Sequence, residues 1–145
     1  MNKRGQNPKN KTEKTSWGPV HEWYDEHLPR PDTYHSKVLL PNLLRLIEPK
    51  AGMHILDLAC GQGFFSEHLS TNAHVTGVDI SPELIAKAKT KVPKATFVVS
   101  PADKLTFIKD KSIDHVLISL AIQNIARADA VFSEVARVLK IGGMF

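Results

Sequence analysis

Residues 55–65, Ile-Leu-Asp-Leu-Ala-Cys-Gly-Gln-Gly-Phe-Phe, constrain the fold more than any other stretch of the chain. Ile55, Leu56 and Leu58 suit a strand buried on both faces, as in a parallel sheet. Asp57, followed by Ala59, Cys60, Gly61 and Gly63, suits a backbone that turns tightly beside a ligand. A strand that feeds a glycine turn and then a helix start offers unpaired amide N–H groups and a positive dipole end to negative or electron-rich groups. The spacing Gly61-Gln62-Gly63-Phe64-Phe65-Ser66 approaches the dinucleotide-binding fingerprint but carries Ser where its third Gly belongs. Asp57 also stands where a dinucleotide fold usually carries an apolar residue.

The rest of the chain alternates helix and strand around this turn. Leu40, Leu43, Leu44 and Ile47 recur at helical spacing within 36–48, with Pro41 acceptable only near the first turn. A short helix is expected over 64–70. A second strand is expected over 74–80, ending in Asp79, and Ser81-Pro82-Glu83 then starts a helix running to about Thr90. Further strands are expected over 95–100 and 115–121, a helix over 126–140, and a fifth strand beginning at Met144-Phe145. This order predicts an α/β fold, a Rossmann-like parallel sheet with flanking helices and ligands at the carboxyl ends of the strands. Asp57, Gly61, Asp79 and Asp103 all fall at such ends. An acid at the end of the second strand can accept both hydroxyls of a ribose. The structural alternatives are that Asp57 satisfies turn amides and that Asp79 caps the following helix.

At 145 residues, with 42% hydrophobic and 23% charged residues, the chain is read as one domain with a single core. No apolar run approaches a membrane span, and the Lys- and Asn-rich start has no apolar stretch behind it, so a cytoplasmic location without membrane contact is expected. The net charge of +4 is concentrated in residues 1–16, where Lys3, Arg4, Lys9, Lys11 and Lys14 face Glu13 alone. That segment is expected to be a disordered basic tail, with RNA binding as the alternative, and the neutral remainder does not ask for nucleic acid. Both tryptophans and both tyrosines lie in 17–34, either anchoring a helix on the core or forming a lid. The expected organisation is therefore a tail at 1–16 and a domain at 17–145, divided into an N-terminal lid or cap at 17–48 and a core at 53–145. His21-Glu22-Trp23-Tyr24-Asp25 lacks the second His of the zinc-protease signature, and no metal site is expected. Cys60, the single cysteine, reads as packing rather than as a nucleophile.

Several of these stretches resemble the class I S-adenosylmethionine-dependent methyltransferases, especially the branch acting on small molecules and quinone-like substrates. Asp57-x-Ala59-x-Gly61-x-Gly63 is similar to the first motif of that family, with Ala in place of its first Gly. The segments 75–81, 102–107 and 113–123 also match. Glu134-Val135-Ala136-Arg137-Val138-Leu139-Lys140-Ile141-Gly142-Gly143 resembles the family's lead into the fifth strand, with Ile141 for Pro. Trp23-Tyr24-Asp25 resembles the N-terminal lid of many members. The resemblance implies S-adenosyl-L-methionine as cofactor. Asp57, Ala59, Gly61, Gln62 and Gly63 would hold its methionine part, Asp79 its ribose, and Ile80 its adenine face. The backbones of Ser119 and Leu120 would close the site near the sulfonium, and Asp103 or the backbone of Ala102 would meet the adenine edge.

Methyl transfer to a small-molecule acceptor is the implied activity. It mainly needs an aligned acceptor, with a base only where the nucleophile must lose a proton. His35 and Tyr34 are the candidates for a polar catalytic group over the site, a surface or capping role for His35 being the alternative. No Asn/Asp-Pro-Pro-aromatic sequence follows the fourth strand, which argues against the base and amide-nitrogen methylases that use it. Relatives continue through a fifth strand, a helix and an antiparallel hairpin, so the chain is expected to lack the C-terminal strands of the usual fold. The fourth strand is then expected to be a nearly bare edge, covered in a homodimer or by a partner chain. An inactive cofactor-binding module completed by a partner is the second reading. A nicotinamide-dependent oxidoreductase is the third, disfavoured by Asp57 and the segment around Arg137.

Overall fold

The computed structural model describes residues 32–145, so the tail at 1–16 and the segment containing His21 and Trp23-Tyr24-Asp25 lie outside the described residues. Five strands form one sheet in the order β3-β2-β1-β4-β5, every neighbouring pair parallel. They are β1 (His54–Leu58), β2 (His74–Asp79), β3 (Thr96–Val99), β4 (Ile113–Ile118) and β5 (Leu139–Met144). The helices are α1 (Leu40–Ile47), α2 (Phe64–Leu69), α3 (Pro82–Lys91) and α4 (Ala128–Val138).

The apolar 55–58 run lies at the centre of the sheet, where both faces are covered. Ile55, Leu56 and Leu58 are fully buried and Asp57 is 2% exposed. On one face Leu56, Leu58, Val78 and Val116 meet Val131, Val135 and Val138 of α4, together with Leu105 and Ile108 of the loop between β3 and β4. On the other face Ile55, Val75 and Leu117 meet Ile47, Phe64, Phe65 and Leu69 of α1 and α2. Helix α3 contributes Ile85 and Ala88 around Phe97 of β3. The chain reverses its direction of growth between β1 and β4, which leaves a crevice at their carboxyl ends.

Pro41 shapes the approach to α1. It has no N–H to offer the carbonyl four residues earlier, and residues His35–Leu39 form a wide π-helical turn, with the Leu40 N–H bonding the His35 carbonyl. The fourth strand runs two residues earlier at its start and ends at Ile118, three residues short of expectation. Leu120 adopts a left-handed φ of 53°, which an extended strand cannot include, so 119–121 turn into a short 3-10 helix at Ile122–Asn124.

The largest departure is at the C-terminal side. Helix α4 stops at Val138 and β5 begins at Leu139, five residues before the expected start. The Ser112 and Lys111 N–H groups bond the carbonyls of Val138 and Arg137, drawing the helix end onto β4. Strand β5 then pairs with β4 at Ile113↔Leu139 and His115↔Met144, with an irregularity between. Gly142 has a φ of 81°, and a Cβ on Gly143 would lie 2.9 Å from the Asp114 carbonyl oxygen. The two glycines therefore form the bulge that lets β5 approach β4. The expected bare fourth-strand edge is thus corrected: β5 covers it, and the sheet edge there belongs to β5 itself.

Candidate functional site

A cleft of ≈ 560 Å³ opens at the carboxyl ends of the central strands. Its floor is the turn after β1. Ala59 and Gly61 have φ of 53° and 56°, and the Cys60 N–H bonds the Val78 carbonyl at 3.0 Å, which pins the turn to β2. A side chain on Gly61 would meet no protein atom within 4 Å, so this position opens onto the cleft. Gly63 behaves differently. It has a φ of 82°, is the N-cap of α2, and a Cβ there would lie 3.2 Å from the Phe97 ring and 3.4 Å from the Ala88 Cβ. It is a close-packing position that does not line the cleft.

Two carboxylates face this turn. Asp79, at the end of β2, accepts the Gly61 N–H at Oδ2 and the Ser81 N–H at Oδ1, each at 2.9 Å. It therefore joins the β1 turn to the start of α3. The Ser81 hydroxyl itself accepts the Leu84 N–H as N-cap. Asp57 accepts the hydroxyl of Ser66, a fully buried residue of α2, at 2.7 Å. Burial pushes the Asp57 carboxyl up to about 7, the Ser66 hydrogen bond opposes this, and the charge of Asp79 adds to it. Burial, with Asp57 and Asp79 nearby, pushes the Cys60 thiol far up, so it stays protonated.

Of the residues anticipated from sequence, Asp57, Ala59, Gly61, Gln62, Asp79, Ile80, Ala102, Asp103, Ser119 and Leu120 all line the one cleft, as does His35. Tyr34 is 59% exposed and is not part of its lining. Sequence reading missed Phe64, Phe65, Leu84 and Ile125, which make much of the wall apolar. It also missed Arg127, which lies 4.0 Å from Asp103. Phe64 and Phe65 directly follow the glycine turn and were available as a signal. Arg127 reaches the cleft only because the chain folds back after β4. Among the described residues no cluster of His, Cys, Asp or Glu has the arrangement of a metal site. Nor is any helix among them long and apolar enough to cross a membrane.

This sheet order and site define a nucleotide-type crevice with two acidic walls, and comparison with known proteins gives its family. Residues 56–145 match the family model described as a methyltransferase domain. The chain is 35% identical over 102 residues to the demethylmenaquinone methyltransferase of Leptospira interrogans, covering 64% of this chain and 41% of that one. It is 36% identical over 104 residues to a ubiquinone/menaquinone biosynthesis C-methyltransferase of Rubrivivax gelatinosus, covering 70% and 41%. The crystal structure of a TehB-like SAM-dependent methyltransferase from Corynebacterium glutamicum superposes with a TM-score of 0.71 at 25% identity, over 86% of this chain and 70% of that one. The chain belongs to the methyltransferase-domain family, within the class I S-adenosylmethionine-dependent methyltransferases. It spans less than half the length of these two curated relatives.

The cofactor of this class is S-adenosyl-L-methionine. The residues present fit such a group. The cleft has the volume of a small-molecule site. A buried carboxylate suits a cationic amino-acid part, and a second acid suits a ribose. The glycine that opens onto the cleft leaves room for a ligand against the backbone.

Proposed function

We propose that this chain binds S-adenosylmethionine in the cleft and transfers its methyl group to a small, largely apolar acceptor of quinol type. The observation that carries this reading is the convergence of Asp57, Gly61 and Asp79 on one crevice at the point where the sheet reverses its order. Asp57 and the turn containing Ala59, Gly61 and Gln62 would hold the methionine part, with Gly63 keeping α2 close behind it. Asp79 would accept the ribose hydroxyls with the lone pairs left after bonding Gly61 and Ser81. Ile80, which is 50% exposed, would cover the adenine face, and Ala102 and Asp103 its edge. The left-handed backbone at Leu120, beside Ser119, would close the site at the reacting end.

When bound, the cofactor supplies an already activated methyl group. The protein's part is to hold the acceptor in line and keep water out, which can lower the barrier by several kcal/mol. Apolar side chains at Phe64, Phe65, Leu84 and Ile125 suit a planar hydrophobic acceptor, in keeping with the quinone-pathway relatives. Titrating S-adenosylhomocysteine into the purified chain by calorimetry, with Asp79→Ala as control and thermal melting to check its fold, tests the cofactor site. Micromolar affinity lost in the variant is expected, and absence of binding overturns the reading. Binding without turnover of a short-chain demethylmenaquinol would favour the second reading, an inactive cofactor-binding module that a partner chain completes. We assign self-association to the exposed edge strand β5, whose Ile141 is 92% exposed.

A further inference from the structure

The cleft is lined by six ionisable side chains among the described residues: His35, Asp57, Cys60, Asp79, Asp103 and Arg127. Five are committed. Asp57 and Asp79 are tied to Ser66, Gly61 and Ser81. Cys60 is held protonated, and Asp103 faces Arg127. His35 differs, because its ring nitrogens have no hydrogen-bond partner among the described residues.

Its placement is specific. The π-helical turn ahead of Pro41 carries His35 against α2, edge-on to Phe64 at 6.0 Å between ring centroids and tilted to Phe65 at 6.1 Å. Such wide turns are frequent at functional sites because they redirect one side chain without ending the helix. Phe64 and Phe65 follow the β1 turn, so His35 borders the cleft on the side of that turn and α2.

From this geometry we infer that His35 is the proton acceptor for the methyl acceptor's hydroxyl, which makes aromatic or enolic hydroxyl compounds the substrate class. This inference rests on the cofactor reading given above. Balance is simple. The acceptor's O–H bond breaks and its proton passes to an imidazole nitrogen. The released electron pair moves through the ring and forms the C–C bond at the adjacent ring carbon as the methyl–sulfur bond breaks, leaving a neutral thioether. Loss of the ring proton from the resulting ketone restores the hydroxyl, so one proton leaves to solvent through the imidazolium.

Burial lowers the His35 pKa, keeping the ring neutral and able to accept. The titratable and charged groups on the elements around it are His54 and Asp57 on β1, Cys60 in the turn after it, His74 and Asp79 on β2, Glu67 and His68 on α2, Glu83, Lys87, Lys89 and Lys91 on α3, Arg45 on α1 and Lys37 on its own turn. The Lys37 charge is met by Asp32 and that of Lys91 by Glu67.

The test compares the wild type with His35→Gln and His35→Asn. Three readouts are used: S-adenosylhomocysteine calorimetry, the pH dependence of kcat with a naphthohydroquinone bearing one isoprene unit, and NMR titration of the His35 ring. The expected result is cofactor affinity unchanged within about threefold, with kcat reduced about 100-fold and the acid limb of the pH profile lost. In the cofactor complex the His35 ring should titrate below 6.5 and its signals should move on ligand addition. Intact binding with an unchanged kcat and acid limb overturns this inference alone. A ring that titrates normally and does not respond to the ligand also overturns it, even if the quinol proves not to be the acceptor. Failure of S-adenosylhomocysteine to bind overturns the cofactor reading itself.

Discussion

On the proposed cofactor reading, Asp57 is the residue on which stability and binding pull in opposite directions. Its carboxyl is raised from 3.8 to about 7, chiefly by burial, so between these values the folded chain keeps a proton that the unfolded chain has released. The stability this group contributes is complete below about pH 4 and fades as pH rises through about 7. Asp57→Asn keeps an acceptor for Ser66 without a buried charge. It is expected to raise stability at pH 8 by a few kcal/mol, on the order of 1 kcal/mol per pKa unit removed, measured by urea unfolding. The same variant should lose cofactor binding. In the wild type, S-adenosylhomocysteine affinity should fall about tenfold per pH unit below pH 7, as the carboxylate proposed to meet the ammonium is protonated. Gly61 makes a separate case. With no protein atom near its missing Cβ, Gly61→Ala carries only the left-handed backbone cost, about 1 kcal/mol in thermal or urea unfolding. Its effect on the ligand should be larger, roughly tenfold or more in calorimetric Kd, because the new methyl enters the cleft.

At the scale of elements, two contacts decide how strands and helices are spaced. A Cβ on Gly77 of β2 would lie 2.5 Å from two atoms of the Phe97 ring and 2.9 Å from the Cys60 Sγ. Gly77→Ala should therefore cost about 1–3 kcal/mol by overpacking, and it should also disturb the β1 turn that carries Cys60. Urea unfolding followed by cofactor titration separates the two effects. The Glu134-x-x-Arg137 pair ties α4 to the loop before β4. The Arg137 guanidinium donates to the carbonyls of Leu105 and Ile108 at 2.9 Å and to both Glu134 oxygens, while Glu134 accepts the Leu105 N–H at 2.7 Å. A lysine cannot reproduce that fork. Arg137→Lys is expected to destabilise by about 2 kcal/mol, leaving at least one carbonyl unpaired, and midpoint shifts in urea would measure it. This network gives a physical reason for a motif that sequence reading used only as a sign of family. It holds the loop leading to β4, and through β4 the turn at Ser119 and Leu120.

At the scale of the sheet, β3 and β5 are its two edges among the described residues, and at β5 Ile141, Met144 and the following Phe145 are exposed, with the Phe132 ring of α4 centred 5.9 Å from that of Phe145. Sedimentation near about 100 micromolar should show a dimer in the wild type that Ile141→Lys returns to monomer, since a charge on an edge strand opposes pairing. A wild type that remains monomeric there would remove the assignment of self-association to this edge. Much of the architecture was legible beforehand, because periodicity and turn chemistry are local. The buried run at 55–58, the Ser81-Pro82 helix start and the acids at strand ends each announce themselves within a few residues. The end of α4 did not, since Leu139 and Lys140 continue a helical pattern and only pairing with β4 draws them into a strand. Gly63 carries a packing constraint that its spacing does not show. Its spacing fits a ligand turn, yet what its missing side chain admits is the ring of Phe97, some thirty residues away in sequence. The sequence by itself determined the element order, the glycine turn and which acids stand at strand ends, because these depend on neighbours along the chain. Only the tertiary structure decided that Asp57 is buried enough to hold a proton near neutrality, that His35 lies against Phe64 and Phe65, and that β5 closes over β4. Each of those depends on which distant segments exclude water from the same place.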